Sequence, residues 1–271
     1  MFVVTGATGN VGRTLVSLLA GPVTAVSRGR LPVPAGVRHH RADLEQPASL
    51  GPALAGAEAM YLLVEGAGAH LDVPEILRVA TAAGVKRVVL QSSQAAGTRP
   101  SHAPLQAIED LVRGSGLDWT ILRPGGFASN ALAWAEPIRT TRTVAAPFGD
   151  VGLPVIDPDD IAAVAAAALH GGHDGRTYEL TGPVLSTPRQ RVADLAAVLG
   201  SPIGFVEQTP DQAREQMLGF MPPPVVEGTL AILGTPTVRE QRVSPDVATV
   251  LGRPAQPFAE WAARNIGAFR P

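Results

Sequence analysis

The run Val3-Val4-Thr5-Gly6-Ala7-Thr8-Gly9-Asn10-Val11-Gly12 decides how the rest of the chain is read. It sets three glycines at GxxGxxG spacing, directly behind the strand-like Phe2-Val3-Val4 and directly ahead of a helical pattern. That context separates a dinucleotide-binding turn from a glycine turn that merely joins two elements. Gly6 permits the tight turn, Gly9 lets the backbone approach a pyrophosphate, and Gly12 lets the helix pack against the strand. A diphosphate placed there would lie over free backbone N–H groups at the positive end of a helix dipole.

Working outward, strand and helix patterns alternate through about residue 127. Strands are predicted at 2–5, 23–27, 37–40, 58–64, 87–92 and 119–123, mostly as continuous apolar or β-branched runs. Such runs suit a parallel sheet covered on both faces. Val11, Leu15, Leu18 and Leu19 mark one face of a helix, and Leu105, Ile108, Leu111 and Val112 mark another. Asp72 reads as the N-cap of a helix carrying Ile76, Leu77 and Val79. Residues 128–156 read as an irregular excursion with a hairpin around Phe148-Gly149-Asp150. Asp157-Pro158-Asp159-Asp160 then opens an Ala-rich helix over 161–169, the acids explained by helix capping. A strand at 176–181, a helix at 188–199 and a strand near 204–208 follow. The predicted class is α/β: a Rossmann-type doubly wound parallel sheet with a small discontinuous C-terminal α/β lobe. Residues 1–130 and 151–182 form its NAD(P)-binding core, and 131–150 and 183–271 its substrate-binding lobe.

Composition narrows the function. The formal charge is −2, with no basic stripe, which argues against nucleic-acid binding. The chain has no cysteine, so disulfides, thiolate nucleophiles and Cys-bound metals are excluded. No apolar stretch approaches the roughly 20 residues of a membrane helix. The expectation is a cytoplasmic protein with no membrane or nucleic-acid partner, acting on a small molecule. His39-His40 lack carboxylates at metal-ligand spacing and read as a solvated turn, so no metal site is expected.

Cofactor choice is read at the end of the second strand. An NAD-selective site usually offers a carboxylate there for the ribose 2′-hydroxyl. This chain has Val26-Ser27-Arg28-Gly29-Arg30 instead. Arg28 and Arg30 can clamp a 2′-phosphate, with Ser27 adding a donor, so NADP(H) is preferred and NAD(H) remains possible. Both arginines can also be read as solvated loop residues. Asp43, closing the third strand, either bonds the adenine amino group or caps the next helix.

Four segments carry a family resemblance: TGATGNVG (5–12), QSSQAAG (91–97), GLDWTILRPGGF (116–127) and GRTYELTGP (175–183). Together they resemble the NmrA-like branch of the atypical short-chain dehydrogenases/reductases, and within it the azoreductase, quinone reductase and triphenylmethane reductase group. The resemblance implies that Thr5, Gly6, Thr8, Gly9, Asn10 and Val11 line the pyrophosphate and that Arg28 meets the 2′-phosphate. It places Asp43 and Leu44 at the adenine, and Leu63 and Val64 beside the adenosine half. Gln91, Ser92, Pro124 and Phe127 would lie near the nicotinamide ribose or ring.

The usual Tyr-xxx-Lys catalytic pair of short-chain dehydrogenases is missing. Lys86 is the sole lysine, with Ala82 four residues earlier, and Tyr61 and Tyr178 are followed at that spacing by Glu65 and Gly182. Many NmrA-like members keep a lysine near the start of the helix after the fifth strand; here Leu105 stands at that position. Ser92, Ser93 and His102 are the local candidates for proton transfer, each also readable as a strand-end or loop residue. The expected activity is an NADPH-dependent reductase of electron-poor aromatic or conjugated acceptors: quinones, azo compounds or cationic dyes. It would transfer hydride directly. The alternatives are a non-catalytic NADP(H)-sensing regulator and a non-redox cyclase or isomerase that keeps the cofactor fold.

Overall fold

The protein is described by a computed structural model covering residues 1–29, 32–64, 66, 68 and 70–270. Its first half alternates strand and helix. The elements are β1 (Phe2–Thr5), α1 (Asn10–Leu18), β2 (Val23–Ser27), β3 (Val37–Arg41), α2 (Gly51–Leu54) and β4 (Ala59–Leu63). They continue with α3 (Val73–Ala82), β5 (Arg87–Gln91), α4 (Ala95–Thr98), α5 (Ala103–Arg113) and β6 (Asp118–Pro124). The second half begins with α6 (Ala135–Thr141), β7 (Thr143–Pro147), α7 (Pro158–His170), β8 (Arg176–Leu180) and α8 (Pro188–Leu199). It ends with β9 (Gly204–Gln208), α9 (Pro210–Leu218), α10 (Pro223–Gly234), α11 (Asp246–Leu251) and α12 (Phe258–Asn265).

Two compact units result. The first comprises residues 1–124, 158–180 and 246–253. Its seven strands pair in the order β3-β2-β1-β4-β5-β6-β8, every pair parallel. This is the doubly wound arrangement, in which the strand order reverses between β1 and β4. Central strands are apolar on both faces because helices cover both: all five residues of β2 and four of five in β5 are buried. The edge strand β3, Val-Arg-His-His-Arg, is half-buried. His39 and His40 therefore lie within a strand, paired with Ala25 and Val26, and not in the solvated turn expected of them.

The helices follow their apolar stripes with two exceptions. Val11, Leu15 and Leu19 are buried, but Leu18 is 49% exposed; Leu105, Ile108 and Val112 are buried, but Leu111 is 41% exposed. In each case an apolar residue adjoins the stripe without belonging to it. On α5 the vacated inward position goes to Glu109, which is fully buried. Trp119 is only half-buried, with the Arg113 guanidinium 5.6 Å from its ring centroid.

Asp72 caps α3 as expected, its carboxylate accepting from the Glu75 backbone N–H at 3.1 Å, with Pro74 in the first turn. Asp72→Ala should cost about 1 kcal/mol by orphaning that N–H. A lower urea midpoint at unchanged m-value is the expected readout, and an unchanged midpoint would count against the cap.

The second unit comprises residues 125–157, 181–245 and 254–271. Its core gathers Ile138, Val144, Leu195, Phe258, Trp261 and Phe269 beside a two-stranded sheet of β7 and β9. That sheet is parallel, running from Thr143 opposite Gly204 to Pro147 opposite Gln208. The hairpin expected around Phe148-Gly149-Asp150 is therefore absent. The chain turns there, with Phe148 at φ 55°, but the following Val151-Gly152-Leu153-Pro154 is too interrupted to return as a partner strand. Leu153 instead bridges Ser186. Thr187 and Thr209 start α8 and α9 with reciprocal capping boxes to Gln190 and Gln212. Met217 and Met221 pack on a small cluster of Ala213, Val226 and Leu230, while Phe220 is 68% exposed.

Candidate functional site

The site forms where the glycine turn leaves β1, at the carboxyl ends of the strands. The turn closes on itself, the Gly9 N–H donating to the Gly6 carbonyl at 3.0 Å, and α1 starts immediately after Gly9. Two glycines are required by contact. Gly6 sits at φ +60°, and a Cβ there would fall 2.3 Å from Leu63 Cδ2. A Cβ on Gly12 would fall 2.2 Å from the Gly6 carbonyl oxygen and 2.8 Å from Ala7 Cα. A Cβ on Gly9 would meet only the Gly6 oxygen, at 3.4 Å, so that face of the turn stays open to a phosphate. No carboxylate lies in the first turn of α1. Backbone donors, a helix N-terminus and no competing acid fit a dinucleotide pyrophosphate.

Thr5 sets the register. Its hydroxyl donates to the Tyr61 carbonyl at 3.0 Å and accepts from the Leu63 N–H at 2.9 Å, binding β1 to β4 at the reversal point. One pocket there is lined by Thr5, Gly6, Thr8, Ser27, Arg28, Asp43, Leu44 and Leu63. Eight of the sequence-predicted cofactor residues are thus brought together. Glu45, His70 and Leu71 also line it and were not anticipated; Glu45 and His70 stand 3.9 Å apart, both about half exposed. Their segment lacks a motif, and only the fold brings it to the pocket.

At the 2′-phosphate position Arg28 is exposed beside the pocket, while Arg30 lies outside the described residues. The Ser27 hydroxyl donates to the Gly29 carbonyl at 2.7 Å and lies 2.8 Å from His39 Nε2. With its hydrogen committed, Ser27 is left as an acceptor, not the donor expected from sequence. Asp43 turns its carboxylate back on the chain, accepting from the Glu45 N–H at 3.1 Å.

Asn10, Val11 and Gly12 form the first turn of α1, and Val64 follows β4 directly. Gln91, Ser92 and Pro124 stand at the ends of β5 and β6, Gln91 in register with Leu63 on one side and Leu122 on the other. Phe127 belongs to the second unit. The Tyr61 hydroxyl, fully buried, donates to Gln91 Oε1, and Gln91 is itself buried. Burial pushes the Tyr61 hydroxyl far above the ordinary tyrosine range.

The proton-transfer candidates are engaged as well. The Ser92 hydroxyl donates to Glu109 Oε1 at 2.7 Å. Ser93 accepts from the Ala95 N–H at 3.2 Å, closing the turn into α4, and His102 Nδ1 lies 3.2 Å from the Ser101 hydroxyl just before α5. Leu105, where the family resemblance leads one to look for a lysine, is buried in the core. Glu109 is the feature sequence reasoning missed. It also receives Arg123 through two bonds, Nε at 2.8 Å and Nη2 at 2.6 Å, and Arg113 at 2.8 Å.

A parallel sheet reversing at a glycine phosphate turn, with an arginine and no acid after β2, defines a nicotinamide-dinucleotide-binding Rossmann protein. The chain belongs to the NAD(P)H-binding family, whose model matches residues 6–171. Among its relatives is the (4-alkanoyl-5-oxo-2,5-dihydrofuran-3-yl)methyl phosphate reductase of Streptomyces griseus, 39% identical over all of both chains. The NAD(P)H azoreductase of Xenophilus azovorans is 31% identical over 99% of both. The structure of an Escherichia coli NADPH-dependent quinone oxidoreductase complexed with NADPH superposes with a TM-score of 0.80. It is 25% identical and covers 97% of this chain and 99% of that one. The chain is an NAD(P)H-dependent oxidoreductase of this family. Among the described residues no helix is long and apolar enough to cross a membrane.

Proposed function

We propose that the chain is an NADPH-dependent reductase of electron-poor conjugated acceptors, with acyl-substituted unsaturated lactones as its main class. Quinones, azo compounds and cationic dyes belong to the same electronic type. One observation carries the reading: the hydroxyl hydrogens of Tyr61, in the middle of β4, and of Ser92, just after β5, are both committed, to Gln91 and Glu109, and no Tyr-xxx-Lys pair exists. A dinucleotide cradle whose neighbouring Tyr61 and Ser92 hydroxyls are committed, in a chain with no Tyr-xxx-Lys pair, suits acceptors whose reduced anion is stable until water protonates it.

An acyl butenolide meets that requirement. A bound NADPH would supply the hydride for the ring carbon β to both carbonyls and leave as NADP⁺. The displaced π pair is delocalised over the lactone and acyl carbonyls as an enolate, and water then protonates the carbon between them. Gln91, held through its Oε1 by Tyr61, orients the nicotinamide end together with Ser92, Pro124 and Phe127. Gly6 to Gly12 hold the pyrophosphate, Arg28 the 2′-phosphate, and Asp43, Leu44, Leu63 and Val64 the adenosine. The C-terminal lobe receives the acceptor, and the reaction takes place in the cytoplasm.

The test is NADPH consumption, followed by absorbance, with acyl butenolides, quinones, azo compounds and cationic dyes. Acceptor-dependent oxidation supports the reading; tight NADPH binding with no turnover on any of them overturns it. The cofactor assignment has its own test. Arg28→Glu should weaken NADPH binding by roughly 10- to 100-fold, the worth of one charge-assisted contact, and NADH binding far less. Equal effects in fluorescence titrations of the two cofactors would remove Arg28 from the 2′-phosphate.

A further inference from the structure

The second unit holds a buried arginine whose charge no carboxylate answers among the described residues. Arg191 lies on the inner face of α8 with Val192 and Leu195, and only 8% of it is exposed. Its guanidinium carbon stands 5.5 Å from the centroid of the Trp134 ring, the one side-chain interaction it makes among the described residues. Its Nε is buried without any hydrogen-bond partner. Other arginines of the unit behave differently: Arg139, Arg189, Arg214 and Arg264 each meet a carboxylate. Burial pushes the Arg191 guanidinium down to about 10, which still leaves it protonated at neutral pH.

A cation in this condition is costly to keep unless something compensates it. Only the Nε is sealed from solvent, so the two terminal nitrogens reach the surface of the unit. Helix packing holds the stem and the indole covers one face, leaving the end of the planar fork to meet a ligand. Two parallel N–H groups at that end match the oxygens of a phosphate or carboxylate. A guanidinium already held in place loses little freedom on binding such a group.

We infer that Arg191, backed by Trp134, is an oxyanion-binding site of the second unit and takes the phosphate monoester of a phosphorylated substrate. The choice of a phosphorylated acyl butenolide as that substrate rests on the reading under Proposed function; the oxyanion site itself rests on Arg191. A phosphate dianion answers the buried charge more fully than a carboxylate, and an unsaturated lactone bearing a phosphomethyl group supplies one.

Two measurements on the full chain test this. In the first, a 4-alkanoyl butenolide bearing a phosphomethyl group is compared with its hydroxymethyl counterpart. In Arg191→Gln, and in Arg191→Met, which keeps the stem's packing, the preference for the phosphorylated compound should fall about 10- to 100-fold as a ratio of kcat/KM values. In the second, NADP⁺-saturated enzyme, with its cofactor phosphate sites filled, is titrated with inorganic phosphate, methyl phosphate and acetate. Trp134 fluorescence is the signal, with Trp134→Phe as the blank. Saturable binding of methyl phosphate, tighter than acetate and lost in Arg191→Met, is expected. Saturation by inorganic phosphate alone would overturn the assignment to a substrate ester. An unchanged substrate preference in both variants, or phosphate binding equal in wild type and Arg191→Met, would also overturn the inference. If wild type reduces neither lactone, the acceptor reading fails and the titration alone decides the oxyanion site.

Discussion

Gly12→Val should abolish NADPH binding in the accessible concentration range. The first atom of any side chain at this position would lie 2.2 Å from the Gly6 carbonyl oxygen and 2.8 Å from Ala7 Cα. Both are backbone atoms, so no rotamer change relieves the overlap, and α1 must move away from the turn it follows. The N–H groups that face a pyrophosphate come from that turn and from the start of α1. Losing two such charge-assisted contacts costs about 3–6 kcal/mol, or roughly 100-fold to more than 10,000-fold in affinity. Binding is measured by NADPH fluorescence, and stability by thermal unfolding of the same sample. Gly9→Ala is the paired control. Its Cβ meets only the Gly6 oxygen at 3.4 Å, so the melting temperature should hold while binding weakens, because the methyl stands where the phosphate approaches. A Gly12→Val protein that binds NADPH within about threefold of wild type would contradict the cradle.

The same turn shows why much of the core was legible in the sequence. Periodicity and glycine spacing are local signals, and strands covered on both faces leave continuous apolar runs such as Val23 to Val26. The capping residue Asp72 and the limits of α8 and β9 were equally visible. What escaped depends on residues distant in the chain. The parallel pairing of β7 with β9 joins Thr143 to Gly204 and leaves no local trace, so in the sequence the glycine turn reads as a hairpin. Ser27 reads as a phosphate donor until β3 brings His39 against it and Gly29 takes its hydrogen. Glu109 looks like a polar residue on an exposed helix face. It is buried because Arg123, fourteen positions later, arrives from β6 beneath it. Arg191 is one basic residue among many in the sequence, and only the packing of α8 isolates it.

Glu109 also carries the largest expected effect on stability. Its carboxylate is fully buried, and Arg123, 12% exposed, reaches it through both Nε and Nη2. Glu109→Ala leaves the Arg123 guanidinium buried without its counter-ion, which should cost about 3–5 kcal/mol and lower Tm by roughly 10 °C for a chain of this size. Replacing both partners, Glu109→Leu with Arg123→Met, removes the stranded charge along with the pair and should restore much of the loss. A double variant as unstable as the single one would show that Glu109 acts by packing alone. Protonation offers a second route to the same contact. Burial raises the carboxyl, but hydrogen bonds from Arg123 and Ser92, the Arg123 charge and the bond from Arg113 outweigh it, so its folded-state pKa lies below the ordinary 4.5. A depressed carboxyl pKa stabilises the fold fully above the unfolded value and loses that contribution as pH falls through the folded one. The Tm difference between wild type and Glu109→Ala should therefore be constant at neutral pH and shrink only below the ordinary glutamate range. A difference independent of pH down to acid unfolding would mean that the ionised form is not what Arg123 holds. Because Ser92 donates to the same carboxylate, the acid transition should also free the Ser92 hydroxyl. Any proton transfer by that serine would then appear only at low pH, consistent with protonation of the reduced acceptor by water at neutral pH.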